Sequence, residues 1–233
     1  MWQTDRGQVR ALLIMCLLPG VILGLWPGLD LAVSGLFYVP GQGFPLATSA
    51  ALEFFRAGVW DLTILVFLLT LVGMAMAPFN WRLWQVPSGV WIYLFTLYLL
   101  GPLLLVNGIL KANWGRARPA DILDFGGAHQ FTPFWQPADQ CLANCSFVSG
   151  EVAAVFAMSL AMLILTRTAT RSLRGRLRHI WRALAFALPP LVMLQRLAAG
   201  RHFLSDVVFA GLFVLLLACA LKPLLTIGRR PGD

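Results

Sequence analysis

Three short stretches of this sequence carry residue types that could do chemistry together. In KANWGRARPAD, Lys111, Arg116 and Arg118 place three cations within eight residues, and Pro119 stops any helix there. Such a cluster binds an anion, or else snorkels toward lipid headgroups. In CSFVSGEVAA, Ser149, Gly150 and Glu151 open an apolar run. A helix starting there offers unpaired N–H groups and a positive dipole end, which suit phosphate, and Gly150 would let an anion approach the backbone. The plainer reading makes Ser149 an N-cap and Gly150 a packing residue. In QRLAAGRHFLSDVV, His202 and Asp206 are four apart, on one face of a helix. The carboxylate can orient one imidazole nitrogen while the other faces a site; a purely structural His–Asp pair is the alternative.

The elements that must position these residues are membrane spans. The chain of 233 residues is 59% hydrophobic and 12% charged, with mean hydropathy +0.76, far too apolar for a soluble domain of this size. Apolar spans are read at about 11–26, 58–77, 90–110, 149–166, 183–200 and 203–222. The first has no small-residue cleavage site before or after it, so it reads as a retained helix and not a signal peptide. The expectation is an all-α polytopic membrane protein: one domain, 1–233, a six-transmembrane-helix bundle with its site at the outer face.

Basic residues set the orientation. Arg6, Arg10, Arg82, the six arginines of the 167–182 loop (Arg167, Arg171, Arg174, Arg176, Arg178, Arg182), Lys222, Arg229 and Arg230 make 12 of the 18 cations, all on one side. By the positive-inside rule that side is cytoplasmic and holds both termini. The 167–182 loop is then a topology determinant touching anionic lipid, not a nucleic-acid patch. The outer side keeps Arg56, Lys111, Arg116, Arg118, Arg196 and Arg201. The exits of spans three and five and the starts of spans four and six all open there. Five cations, a helix mouth and an oriented histidine therefore converge on one outer pocket fit for a phosphate group. Trp26, Trp60, Trp81, Trp84, Trp91 and Trp181 lie near span ends, as an aromatic belt requires. Cys16 and Cys219 fall inside apolar spans and read as small core residues. Cys141 and Cys145 lie in the outer loop, where an oxidising exterior favours a bridge; a metal would find only His129 as a further obvious ligand.

Lys111, six residues, then Arg118–Pro119 resembles the first motif of the type 2 phosphatidic acid phosphatase superfamily of integral-membrane lipid phosphatases. Ser149–Gly150 resembles its second motif, and Arg196, five residues, His202, three residues, Asp206 its third; Gln195 stands where the family's usual serine precedes that arginine. The resemblance covers about 90–222, with the outer loop at about 111–148. It implies that Lys111, Arg118 and Arg196 hold the phosphate oxygens, with Ser149 and the Gly150 N–H completing the cradle. It implies that His202 attacks phosphorus to give a phosphohistidine, that Asp206 fixes the imidazole, and that no metal or other cofactor is needed. Arg116, Arg201 and His129 are possible supports.

The second motif normally ends in a histidine that protonates the leaving oxygen, and here Glu151 replaces it. Glu151 could perform that proton transfer. It could instead hold Arg116 or Arg118 while His129 or water supplies the proton, or the site could bind phospholipid without turnover. Phe125, Phe131, Phe134 and Trp135 in the outer loop suggest either a surface that admits a lipid headgroup sideways or ordinary loop packing. Family substrates include phosphatidylglycerol phosphate, phosphatidic acid, undecaprenyl diphosphate and the phosphates of lipid A, and no residue chooses among them. The compact form resembles bacterial members, which implies an inner-membrane protein with a periplasmic site acting on a lipid phosphate in the outer leaflet, among membrane lipids and with no nucleic-acid partner. The rival is a catalytically silent phospholipid-binding protein. A transporter would place such polar clusters near mid-membrane, and these sit at span ends.

Overall fold

The computed structural model describes residues 6–79, 83–168 and 175–227. Trp81, Arg82, Arg171, Arg174, Arg229 and Arg230 lie outside the described residues, as do the side chains of Arg6 and Cys16. Helix α1 (Arg6–Leu25) meets α2 (Gly28–Gly35) at an 85° bend. Pro27 sits at that corner, where a residue without an N–H and with a ring that crowds the previous turn stops a straight helix. The bend turns α2 inward and buries Asp30 at 2% exposure.

Helix α3 (Ala50–Met76) starts eight residues before the span read from the sequence, so Glu53 and Arg56 belong to it instead of to a loop. Helix α4 (Ser88–Tyr98) continues as a wide π-type segment (Leu99–Leu110) and a last turn, α5 (Lys111–Asn113). Pro102 removes one donor from the π segment, and Asn107 Nδ2 bonds the Pro102 carbonyl at 2.7 Å. Helix α6 (Gly150–Thr168) is the hub, packing on α3, α4, the π segment, α7 (Gly175–Ala198) and α8 (Leu204–Ala220). It is buried nearly all round, and its buried Ala153, Ala154, Ala157 and Ala161 are small enough for neighbouring backbones to approach closely.

Among the described residues, a helix overlaps each span read from the sequence, but not every one is long and apolar enough to cross a membrane. Among the described residues, three runs are long and apolar enough to cross a membrane: Ala50–Phe79, Ser88–Asn113 and Gly150–Thr168. The bent α1–α2 pair makes a fourth if it counts as one span, and α8 is a shorter apolar helix. Helix α7 falls short because Arg182 and Arg196 flank its apolar stretch.

Packing corrects one expectation and favours one of two open alternatives. Trp91 is not an interfacial belt residue: it is 2% exposed and lies on Gly73, where an added Cβ would come within 2.2 Å of the indole. The loop aromatics mostly face inward. Phe134 stacks on Phe209 at 4.6 Å, Phe131 meets Phe203 edge-on at 5.4 Å, and Phe125 packs with Tyr38 and Phe44; Trp135 alone of the four is exposed. Phe44, Ala117, Ile122, Phe125 and Phe203 form a second apolar cluster that fastens the outer loop to the α7–α8 turn.

Candidate active site

The chain after α5 is steered by Gly115. Its φ of +65° is a left-handed conformation that costs glycine little, and a Cβ there would lie 1.6 Å from the Ala138 carbonyl oxygen. This turn sends Arg116 into the protein, where it is completely buried. Its guanidinium donates to Asp206 Oδ1 at 2.7 Å, Ser205 Oγ at 2.8 Å, Asp30 Oδ2 at 2.8 Å and, through Nε, the Thr132 carbonyl at 2.8 Å, and it lies 4.2 Å from the Phe203 ring centre. Arg116 is therefore a structural cation behind the site and does not reach Glu151, one of the two partners suggested for that carboxylate.

His202 sits in the turn between α7 and α8 at 4% exposure. Its Nδ1 is 2.8 Å from the Ser146 carbonyl oxygen, and Asp206 Oδ2 is 3.8 Å away. A carbonyl only accepts, so Nδ1 carries the hydrogen and Nε2 keeps a free lone pair. The direct holder of the tautomer is thus the Ser146 backbone, where Asp206 was expected. Asp206 works one step back: Oδ2 accepts from Ser146 Oγ and from the Phe203 N–H at 2.8 Å, which pins both chains flanking the imidazole and caps α8. Burial pushes the imidazole below its ordinary value; Asp206 pulls the other way, and Lys111 and Arg118 add to the drop.

His202 faces a cavity of about 330 Å³. Lys111 at the end of the π segment, Arg118 in the loop, Arg196 at the end of α7, and Arg201 all line it. Asn144 ties two of them: its Oδ1 accepts from Lys111 Nζ at 2.8 Å and its carbonyl from Arg118 at 2.7 Å. Asn144 lies between Cys141 and Cys145, which form a disulfide with Cα atoms 5.6 Å apart. Ser149 and Gly150 are not part of the cavity wall. Ser149 is buried, its Oγ accepting the Val152 N–H at 3.4 Å while its own N–H donates to the Asp206 carbonyl at 3.2 Å. The space over Gly150 is filled by Asn107, whose Oδ1 would be 2.7 Å from an added Cβ. The helix mouth is closed by capping and packing, the plainer of the two sequence readings. His129 is exposed in the outer loop, away from the cavity.

Glu151 does line the cavity, and its partners come from elsewhere in the chain. Arg56 of α3 donates to Oε1 at 3.0 Å and also pairs with Glu53. Arg196 Nη1 lies 2.9 Å from Oε2, close enough for an ion pair but off the line of a hydrogen bond, so Oε2 has none. Gln195, in the place of the family's serine, accepts from Arg196 Nε and so helps aim that guanidinium. Among the described residues, no group of three or more His, Cys, Asp or Glu side chains could hold a metal ion.

The PAP2 superfamily profile matches residues 89–226, more than half of the chain. This protein belongs to the PAP2 superfamily. The match spans Lys111, Arg118, Ser149 to Glu151, Arg196, His202 and Asp206, while Asp30, Glu53 and Arg56 precede it. The chain is 33% identical to a lipid A 4′-phosphatase of Rhizobium leguminosarum over 217 residues, covering 85% of this chain and 88% of that protein. It is 29% identical over 210 residues to a lipid A 4′-phosphatase of Francisella tularensis subsp. novicida, covering 87% and 88%. Among solved structures, the transmembrane PAP2 type phosphatidylglycerolphosphate phosphatase from Bacillus subtilis superposes with a TM-score of 0.58 at 18% identity, covering 91% of this chain and 93% of that one. That likeness shows the PAP2 fold.

The PAP2 spacing rule thus finds Lys111, Arg118, Arg196 and the imidazole, which share one cavity. It misses Asp30 and Arg56, whose partners lie 86 and 95 residues away. Asp30 did leave a trace, a lone carboxylate in an apolar stretch, which usually means a buried partner.

Proposed function

We propose that this chain is a lipid phosphatase that removes the 4′-phosphate of a lipid A-type glycolipid. The substrate assignment rests on the two relatives that cover nearly the whole chain. It acts as a six-span bundle in the inner membrane, with both termini in the cytoplasm and the cavity open to the periplasm.

The reaction runs on His202. With its hydrogen held at Nδ1 by the Ser146 carbonyl, Nε2 directs its lone pair at phosphorus, and the bond to the lipid oxygen breaks in line. Lys111, Arg118 and Arg196 meet the charge on the transferring oxygens, the arginines through planar forks and the lysine as a point charge. Water in the open cavity protonates the leaving oxygen. A second water, its proton passing to the hydroxide left by the first, then attacks the phosphoryl group on Nε2, and phosphate leaves as the Nε2 lone pair returns. The fixed cations do the electrostatic work without a metal.

Glu151 holds Arg56 and Arg196 in this scheme. Its carboxylate stands between two guanidiniums, and its loss would leave five neighbouring cations, Arg56, Lys111, Arg118, Arg196 and Arg201, with Glu53 as their remaining carboxylate on the cavity wall. The single observation that carries the proposal is the tautomer-locked imidazole facing that cationic cavity. Phosphate release from a panel of lipid A 4′-monophosphate, lipid A 1-monophosphate and phosphatidylglycerol phosphate tests it. Wild type should release phosphate fastest from the 4′-monophosphate with chelator present, and His202→Ala should release none. Binding without release would make the chain a silent phospholipid-binding protein.

A further inference from the structure

Two carboxylates, Asp30 and Asp206, are buried against one guanidinium, Arg116, at 2%, 0% and 0% exposure. Desolvating charges costs several kcal/mol per ion unless the set is balanced and hydrogen-bonded. The hydrogen bonds are complete: besides Arg116, Asp30 accepts the Ser205 N–H at 2.8 Å and Ser205 Oγ–H at 2.6 Å. Both carboxylates only accept in these bonds, as ionised groups do, and the charge is then not balanced: the three groups sum to minus one. The group nearest to correcting this is His202, 3.8 Å from Asp206 Oδ2.

We infer that Asp30 is a positioning residue for phosphoryl transfer: it neutralises Arg116, so that Asp206 remains an uncancelled negative charge beside the imidazole. Without Asp30, Arg116 and Asp206 would form a neutral pair and the ring would face no net counter-charge. When Nε2 takes the phosphoryl group, the ring with its Nδ1–H gains positive charge, and the buried cluster becomes neutral at that moment. Preorganised charge aimed at a developing ion needs no rearrangement during the step. Asp30 comes from α2, outside the PAP2 match, and the corner at Pro27 delivers it.

The other charged groups around the ring work against its positive form or act from further away. Lys111 and Arg118 press on it from the cavity side, and Arg196, Arg201 and Glu151 line the same cavity. Those residues stay unchanged in the variants below.

This inference builds on the phosphohistidine reading, so its test needs a readout that does not require turnover. The chain has three histidines, His129, His179 and His202, and the detergent-solubilised full chain labelled at histidine gives three ring titrations by NMR, with His202→Ala assigning one. Asp30→Asn should lower the His202 midpoint by about one pH unit. Where the enzyme turns over, kcat should fall about tenfold while KM stays within about twofold. The double variant Asp30→Asn/Arg116→Gln removes one charge of each sign, restoring the net minus one, and should return the midpoint to that of wild type. An unchanged midpoint in Asp30→Asn overturns the inference. If Asp30→Asn does not fold, the double variant decides: a wild-type midpoint supports the inference, and a displaced midpoint or an unfolded double variant overturns it in favour of a purely structural role. A normal response in NMR with no phosphate release from any lipid would instead count against the proposed reaction.

Discussion

The Nδ1 of His202 lies 2.8 Å from the Ser146 carbonyl oxygen and 3.8 Å from Asp206 Oδ2, so a backbone oxygen and not the motif carboxylate decides which ring nitrogen is free. Burial, against the pull of Asp206, holds the ring below its ordinary 6.5. A depressed folded value means that Nε2 keeps its lone pair as pH falls through 6.5 and is quenched only below it. The kcat/KM profile should therefore stay flat through pH 6.5 on its acid side, with the fall attributable to His202 beginning lower. A profile already falling at pH 7 would contradict this geometry.

The same relationship separates Ser146 from Asp206. Ser146→Ala removes one hydrogen bond to Asp206 but leaves the carbonyl that orients the ring, so activity should drop less than about tenfold. Asp206→Ala strips the α8 cap and the charge beside the imidazole, and should lower kcat on the order of a hundredfold. Arg116 still has Asp30 in that variant, so stability should fall by only about 1–3 kcal/mol in thermal or denaturant unfolding. Equal activity losses in the two variants would refute the two-step arrangement.

If Glu151 holds Arg56 and Arg196, then Glu151→Gln should lower kcat/KM by about 10–100-fold while both limbs of the pH profile stay in place. Arg56→Ala should show a loss of the same kind. The double variant should lose less than the sum, with a coupling of about 0.5–3 kcal/mol between the two residues. A displaced limb in Glu151→Gln, restored by Glu151→His, would reassign Glu151 to proton transfer.

Asn144 connects the outer loop to the cavity through Lys111 and Arg118, and the Cys141–Cys145 bridge closes the turn that holds it. Replacing both cysteines by serine, or replacing Asn144 by Ala, should raise KM several-fold with a smaller change in kcat, since both release the two cations proposed to hold substrate. Initial rates across substrate concentration measure the split.

Much of this arrangement is legible from residue spacing. Lys111, Arg118, Arg196 and His202 do meet in one cavity, because helix ends on alternate sides of a bundle bring such stretches together. Local pattern fails where a side chain's fate depends on distant packing. Arg116 and Arg118 are two residues apart and look alike in sequence, yet one is fully buried and the other lines the cavity, as the left-handed turn at Gly115 dictates. Trp91 sits where a belt residue would, but Gly73 of another helix leaves a hollow for its ring. Ser149 and Gly150 open a helix as expected, and Asn107, held in the π segment by the Pro102 carbonyl, fills the place where an anion would approach.

The corner at Pro27 also bears on how little of this protein can stand for the whole. A fragment trimmed to residues 89–226 would keep every signature residue of its superfamily. It would nonetheless leave Arg116 with one carboxylate and Glu151 with one guanidinium. The charge pairing behind and around this cavity therefore extends upstream of the recognisable signature, to the helix that carries Asp30.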